Sequence, residues 1–183
     1  MSRTAIQTYS GLSFDILNPV SGSICIEDIA HSLSQINRFN GHTRVSYSVA
    51  EHSVHTASLV REGLRLEALL HDASESILTD IQSPLKGMQC MDGYRDLEKN
   101  IQKRCEYTFG VISTEESHAE IKKADIIMLK VEAMRLLRQP LIPSWSQWIE
   151  DIELPERVPE IIGWHPAFAE SKFLELFNSL YTK

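Results

Sequence analysis

Tyr47-Ser48-Val49-Ala50-Glu51-His52-Ser53-Val54-His55, followed by Ala68-Leu69-Leu70-His71-Asp72-Ala73-Ser74-Glu75, is the stretch on which the reading of the fold turns. In the first piece Val49, Ala50, Val54, Ala57 and Leu59-Val60 recur at helical spacing. That periodicity predicts a helix from about Val45 to Glu62, closed by Gly63 as its C-cap. The second piece predicts another helix, from near Arg65 to near Leu78, built on Leu66, Ala68, Leu69 and Leu70. A helix turns about 100° per residue, so His71, Asp72 and Glu75 reach one side of it. Packing the first helix on the second brings His52 to the same point. Imidazole and carboxylate together suit a borderline or hard divalent cation.

A further acid comes from Lys122-Lys123-Ala124-Asp125-Ile126-Ile127-Met128-Leu129. This segment lies in an amphipathic helix that starts at Ser113 or Thr114 and ends near Arg138, with Ile121, Ala124, Met128 and Val131 on its apolar stripe. Asp125 is the candidate ligand. Glu132, two turns on and facing similarly, is read as structural support. Glu51-His52-x-x-His55 does not follow the zincin order His-Glu-x-x-His, which argues against a metalloprotease. His55 is read as a supporting or surface residue.

The pattern His…His-Asp…Asp, with a Glu three residues past the dyad, resembles the HD-domain metal-dependent phosphohydrolases over roughly residues 35 to 138. It is especially similar to the small bacterial and prophage 5'-deoxynucleotidases and the phage dATP triphosphohydrolases. The resemblance implies one divalent ion (Mn, Co, Mg, Ni, Fe or Zn) held by His52, His71, Asp72 and Asp125. It implies an all-α HD-domain helical bundle, here with a small N-terminal β-hairpin. Glu75 would then handle a proton, either activating water or protonating the leaving oxygen. Asp80 would assist that transfer or touch the sugar.

Arg38-Phe39-Asn40-Gly41-His42-Thr43-Arg44 precedes the first ligand helix. A guanidinium fork suits phosphate and an aromatic face can stack on a base. The plainer reading makes Phe39 a core residue and the arginines solvated. In the similar enzymes an Arg-aromatic pair in this place contacts the nucleotide, usually with Trp where Phe39 stands. They also carry a Pro-x-Lys that matches Pro84-Leu85-Lys86, so Lys86 is a candidate phosphate contact or else a surface lysine.

The implied activity is hydrolysis of deoxynucleotides, foremost 5'-deoxynucleoside monophosphates. Release of triphosphate from a dNTP is the alternative within enzymes, and a silent nucleotide-binding module is the alternative outside them. A diiron oxygenase of this type would need more histidines between the dyad and the last Asp. His118 alone lies there, two helical turns or about 10.5 Å before Asp125, too far to share a metal.

The remaining sequence bounds these readings. A chain of 183 residues with 43% hydrophobic content reads as one domain with a proper core. We divide it at 1–24 (hairpin and loop), 25–138 (helical metal-binding core) and 139–183 (Trp/Pro-rich connection and C-terminal helix). No apolar run approaches the roughly 18 residues that span a bilayer, and Met1 to Tyr9 lacks the apolar core of a signal peptide. Three scattered cysteines with no zinc spacing fit a reducing cytoplasm. A net charge of −7 argues against a nucleic-acid footprint, though not against a small anion beside a bound cation.

Residues 3 to 17 predict the hairpin, turning at Ser10-Gly11, and Glu27 to Asn37 a helix on which His31 is read as a plain surface residue. Residues 79 to 86 read as a loop, 92 to 109 as a helix with Tyr94, Leu97, Ile101 and Cys105 along its apolar edge. Residues 140 to 166 hold five of the seven prolines and all three tryptophans. They read as a long connection over the core that covers a ligand or makes a subunit contact, and a homo-oligomer is expected. Pro166 opens the last helix.

Overall fold

The computed structural model describes residues 4–181, so Arg3, where the expected hairpin begins, and the chain ends 1–3 and 182–183 lie outside the described residues. The architecture is an all-α bundle with a small antiparallel hairpin at its N-terminal end. Strands β1 (Ala5–Gln7) and β2 (Ser13–Asp15) pair as Ala5 with Asp15, Ile6 with Phe14 and Gln7 with Ser13. Helices follow as α1 (Ile26–Gln35), α2 (Val49–Ala57), α3 (Arg65–Leu69), α4 (Glu75–Leu78), α5 (Ser83–Lys86), α6 (Asp92–Thr108), α7 (Glu115–Leu136), α8 (Pro143–Glu150) and α9 (Pro166–Leu180). No helix among the described residues is long and apolar enough to cross a membrane.

The centre is α2, which packs against α1, α3, α7 and α9. Around it Leu33, Val49, Ala50, Leu69, Leu70, Ile101 and Phe173 are fully buried and form one apolar cluster. Phe14 closes that cluster from β2, so alternation in the hairpin points one large ring inward and leaves its neighbours polar.

The expected helix from Val45 to Glu62 is shorter at both ends. Ser48 caps it by accepting the Glu51 N–H at 3.1 Å, and residues 45 to 48 stay outside. They are held elsewhere: the Ser46 hydroxyl donates to Asn37 Oδ1 at 2.7 Å, and Asn37 and Ser48 form an isolated bridge. Gly63 is not a C-cap; Ser58 ends the helix and Gly63 lies in a 3-10 turn, Glu62–Leu64. The expected loop 79–86 contains the one-turn α5. Thr114, with Ser117, makes a reciprocal capping box for α7, and Gly110, at φ 69°, follows the end of α6. His31 is no plain surface residue: its ring stacks on Tyr9 with centroids 3.6 Å apart, and Nδ1 lies 3.0 Å from Glu170 Oε2, joining hairpin, α1 and α9.

The long connection is pinned to α2 by Glu51. This fully buried carboxylate accepts the N–H of Trp164 at 2.6 Å and that of Gly163 at 3.3 Å. Gly163 has φ 75°, and a Cβ there would sit 2.6 Å from the Ser46 carbonyl oxygen. Only glycine meets both conditions. Gly163→Ala should therefore destabilise the protein by at least ~1–2 kcal/mol, each kcal/mol lowering the melting temperature by about 2–4 °C. An unchanged thermal melt would show that the connection can shift away from Ser46.

Candidate metal centre and cleft

The His71-Asp72 dyad does not lie on a continuous helix. The helix expected from Arg65 to Leu78 breaks into α3 and α4, with residues 70 to 74 between them. The cause is on α6. In an unbroken helix the Leu70 carbonyl would accept the Ser74 N–H. Here the Gln102 side-chain amide stands between them: Nε2 donates to Leu70 O at 2.8 Å and Oε1 accepts from Ser74 N at 3.1 Å. The turn is thereby satisfied without helical geometry. Nearby backbone bonds are tighter, Ala73 N–H to Leu70 O and Glu75 N–H to Asp72 O.

Both imidazoles are oriented from behind. A carbonyl only accepts, so His71 Nδ1 carries the proton it gives to Ala68 O at 2.7 Å. His71 Nε2 is left buried and without a hydrogen-bond partner, 3.2 Å from Asp72 Oδ2. His52 is fully buried, and its Nδ1 donates to Glu132 Oε1 at 2.5 Å. That leaves His52 Nε2 3.7 Å from Asp72 Oδ2 and 3.3 Å from Asp125 Oδ1.

His52, His71 and Asp72 each offer one ligand atom, and the three lie within 4.8 Å of one another. Asp125 approaches from α7 outside that trio; its Oδ2 accepts from Lys122 Nζ at 2.7 Å. Two imidazole nitrogens, one of them orphaned, beside carboxylates are a donor set that fits a divalent cation. The residues that would hold it are His52, His71 and Asp72, with Asp125 beside them.

Glu132 is fully buried and takes three donors: His52 Nδ1, the Tyr47 hydroxyl at 2.9 Å and Arg38 Nε at 3.2 Å. Burial opposes its charge, but Arg38 and His52 overcome this and hold its carboxyl down at about 2. For His52, burial and the Arg38 guanidinium oppose protonation, yet Glu132 and Asp125 raise it to about 9. Burial pushes Glu75 up to about 9, reinforced by Asp72 and Asp80 and opposed by Arg38 and Lys86. Burial raises Asp80 as well.

A cleft of about 580 Å³ opens over the dyad, and Arg38, Phe39, Asp72, Glu75, Asp80, Lys86 and Asp125 all line it. His52 and His71 stand behind Asp72. Phe39 is not a core residue. Its ring is 6.1 Å from that of Trp145, and its backbone, like that of Asn40, is left-handed, with φ 56° and 49°. Arg38 Nη1 is 3.7 Å from Asp72 Oδ2, and Lys86 Nζ reaches Glu98 at 2.6 Å and Glu75 at 3.8 Å. His55 stays outside the site, buried against Trp164 with ring centroids 4.9 Å apart, and His118 is exposed. Sequence reasoning missed Gln102, Lys122 and Trp145. The Lys three residues before Asp125 was a legible signal; Gln102 and Trp145 carried none.

Two proteins are similar over much of their length. The uncharacterized protein YfdR of Escherichia coli (strain K12) is 37% identical over 180 residues, which cover 96% of this chain and 94% of that protein. The uncharacterized protein RCAP_rcc00048 of Rhodobacter capsulatus is 35% identical over 147 residues, 74% of each chain. The chain belongs to the family of YfdR. No family model matches it.

Two measurements test this site. Gln102→Ala frees Leu70 O and Ser74 N–H to bond each other, which would rewind the turn and move the dyad. Divalent metal affinity should fall about 10–100-fold, the usual effect of removing a group that orients ligands, while far-ultraviolet circular dichroism barely changes. Unaltered affinity would deny Gln102 that role. The second concerns pH in chelator-treated protein. His52 titrates at about 9 folded against 6.5 unfolded, so its stabilisation is complete below 6.5 and lost as pH rises to about 9. Glu75, at about 9 against 4.5, also binds a proton in the folded state that the unfolded chain has released, so stability falls across its window too. The melting temperature should therefore decline from pH 6.5 towards 9, and stabilisation by added Mn²⁺ should grow over the same range as metal displaces protons. A metal effect that is absent or flat with pH would count against the cation site.

Proposed function

We propose that this protein is a divalent-metal-dependent phosphohydrolase of the HD-domain type, acting on deoxynucleotides and foremost on 5'-deoxynucleoside monophosphates. The observation that carries this reading is the convergence of the His52, His71 and Asp72 donor atoms, with Asp125 alongside, under a cleft that also holds Glu75, Asp80, Arg38 and Lys86. Carboxylates and imidazoles for a cation lie beside guanidinium and ammonium groups for an anion. Paired in that way, they suit a phosphoester better than a neutral substrate.

A divalent cation at the site would supply Lewis acidity to the phosphoryl oxygens and lower the pKa of water. The chain's own groups do the rest. Arg38, fixed by Glu132, presents Nη1 towards the space over Asp72, where it can neutralise phosphoryl charge. Lys86 brings a second cation to the same wall. Glu75 holds its proton at neutral pH because burial and the neighbouring carboxylates disfavour its charge. As water attacks phosphorus and the bond to the sugar oxygen breaks, Glu75 gives that proton to the departing oxygen. Asp80 assists that transfer by taking up the proton that the attacking water sheds and returning it to Glu75, or it meets the sugar.

The test is a screen of deoxynucleoside mono- and triphosphates with added Mn²⁺, Co²⁺ or Mg²⁺, scoring phosphate against triphosphate. Release of phosphate from monophosphates is the expected result; triphosphate release would redirect the reading to dNTPs. Binding without turnover under any metal would leave a nucleotide-binding module. Glu75→Gln should cut turnover by about 10²–10⁴-fold with metal content and melting temperature intact. Near-normal turnover in that variant would remove the proton role.

A further inference from the structure

We propose that Trp145, on α8, is the platform on which the nucleobase of the substrate stacks, so that α8 serves as a specificity element of the cleft. This rests on the nucleotide reading above and extends it to a segment outside the metal-binding helices.

Trp145, Trp148 and Phe39 all line the cleft, and none of them belongs to the apolar core or packs against it. Trp164, from the same connection, does pack on the core. The two tryptophans of α8 are therefore not consumed in holding the segment down. That task falls to other groups: Ile149 is the buried side chain of α8, and Lys130 Nζ on α7 donates to the Ile152 carbonyl at 2.6 Å just past its end. What remains is an aromatic corner. Trp145 meets Phe39 at 48° and Trp148 at 82°, with ring centroids 6.1 Å and 6.0 Å apart.

This corner is placed one residue from the polar end of the cleft. Arg38 lies 3.7 Å from Asp72, and Phe39 comes next in the chain. The left-handed backbone at Phe39 and Asn40 is uncommon for such residues, and strain of this kind persists chiefly where a site uses it. Ile126 and Leu129 of α7 add apolar floor to the same cavity. A ligand with phosphate at one end and a planar heteroaromatic ring at the other matches both ends. Stacking tolerates any base, so Trp145 sets the affinity for having a base and not the choice among bases.

Calorimetry on the full chain decides this, with 2'-deoxyadenosine, which carries no phosphate to hydrolyse, and with 2-deoxyribose 5-phosphate, which carries no base. In Trp145→Ala the affinity for deoxyadenosine should fall about 5–150-fold, the range set by loss of one base–aromatic stack. Trp145→Phe should keep most of it, and deoxyribose 5-phosphate should bind both variants as it binds the wild type. Equal losses for the two ligands, an unchanged affinity for deoxyadenosine, or no nucleoside binding to the wild type would each overturn the proposal. Should Trp145→Ala not fold, quenching of tryptophan emission by deoxyadenosine decides instead: it must be present in the wild type and lost in Trp145→Phe. Phosphate release is read separately. Trp145-dependent nucleoside binding without phosphate release keeps this inference and removes the hydrolase; phosphate release with no role for Trp145 does the reverse.

Discussion

The buried carboxylate of Glu132 is the contact on which the site depends. It sits on α7 and receives Tyr47 from the segment before α2, His52 from α2 itself, and Arg38 from the turn after α1. An uncompensated buried charge costs about 3–5 kcal/mol, a large share of the stability of any domain. The acid and its donors are therefore mutually obligate, and the stretch from Arg38 to His52 is fixed to α7, 80 or more residues further on, through four side chains. The same contact does chemical work. It accepts the hydrogen bond of His52 Nδ1, which leaves Nε2 turned towards Asp72 and Asp125, and it fixes the Arg38 fork at Nε while Nη1 extends over the cleft.

The working groups stand on irregular backbone that other side chains support. The dyad lies where a helix has been opened, and Gln102 makes the opening tolerable by satisfying the two groups it separates. Phe39 and Asn40 occupy a left-handed turn, and the chain after it is anchored where Arg44 donates from its backbone to the Leu136 carbonyl at 2.9 Å and from its guanidinium to that of Arg135. These bonds close the C-terminal end of α7, whose last carbonyls have no partners within the helix. Loop and helix end thus complete each other.

The parts of this arrangement that were legible in the sequence are those with local causes. Helical periodicity located α2, α6, α7 and α9, and the residue types at 52, 71 and 72 marked a group that could hold a cation, whereas Asp125, expected as a fourth ligand, lies outside that trio. The boundaries of α2 were not legible, because Val45 and Ser46 continue its apolar and polar pattern; what holds them outside is Asn37, which takes the Ser46 hydroxyl and bridges to Ser48, with Gly163 packed close against Ser46. The break at the dyad was equally hidden. Leu66, Ala68, Leu69 and Leu70 are good helix formers, and the group that interrupts them lies on α6. Trp145 and Trp148 fall in a Pro-rich stretch where tryptophan looks like filler for the core. Their exclusion from the core follows from how Ile149 and Lys130 seat α8, which no pattern within residues 140 to 166 reveals.

Charge in the cleft adds a constraint that links the two kinds of ligand. Each cation lining it already has a carboxylate partner: Arg38 has Glu132, Lys86 has Glu98, and Lys122 has Asp125. Asp72 and Glu75 are left with longer approaches, to Arg38 at 3.7 Å and to Lys86 at 3.8 Å, with Asp80 nearby; burial first, and the neighbouring carboxylates second, keep Glu75 raised. In a protein of net charge −7 such a cleft would repel a phosphate. A divalent cation held by His52, His71 and Asp72 would reverse that sign locally. It would also compete for Asp125, whose Lys122 partner, with a side chain 68% exposed, is free to leave. Entry of the cation would thus release a mobile ammonium at the rim where a phosphate arrives. On the proposed function, cation and substrate bind with positive coupling, because each removes the electrostatic cost that the other would meet alone.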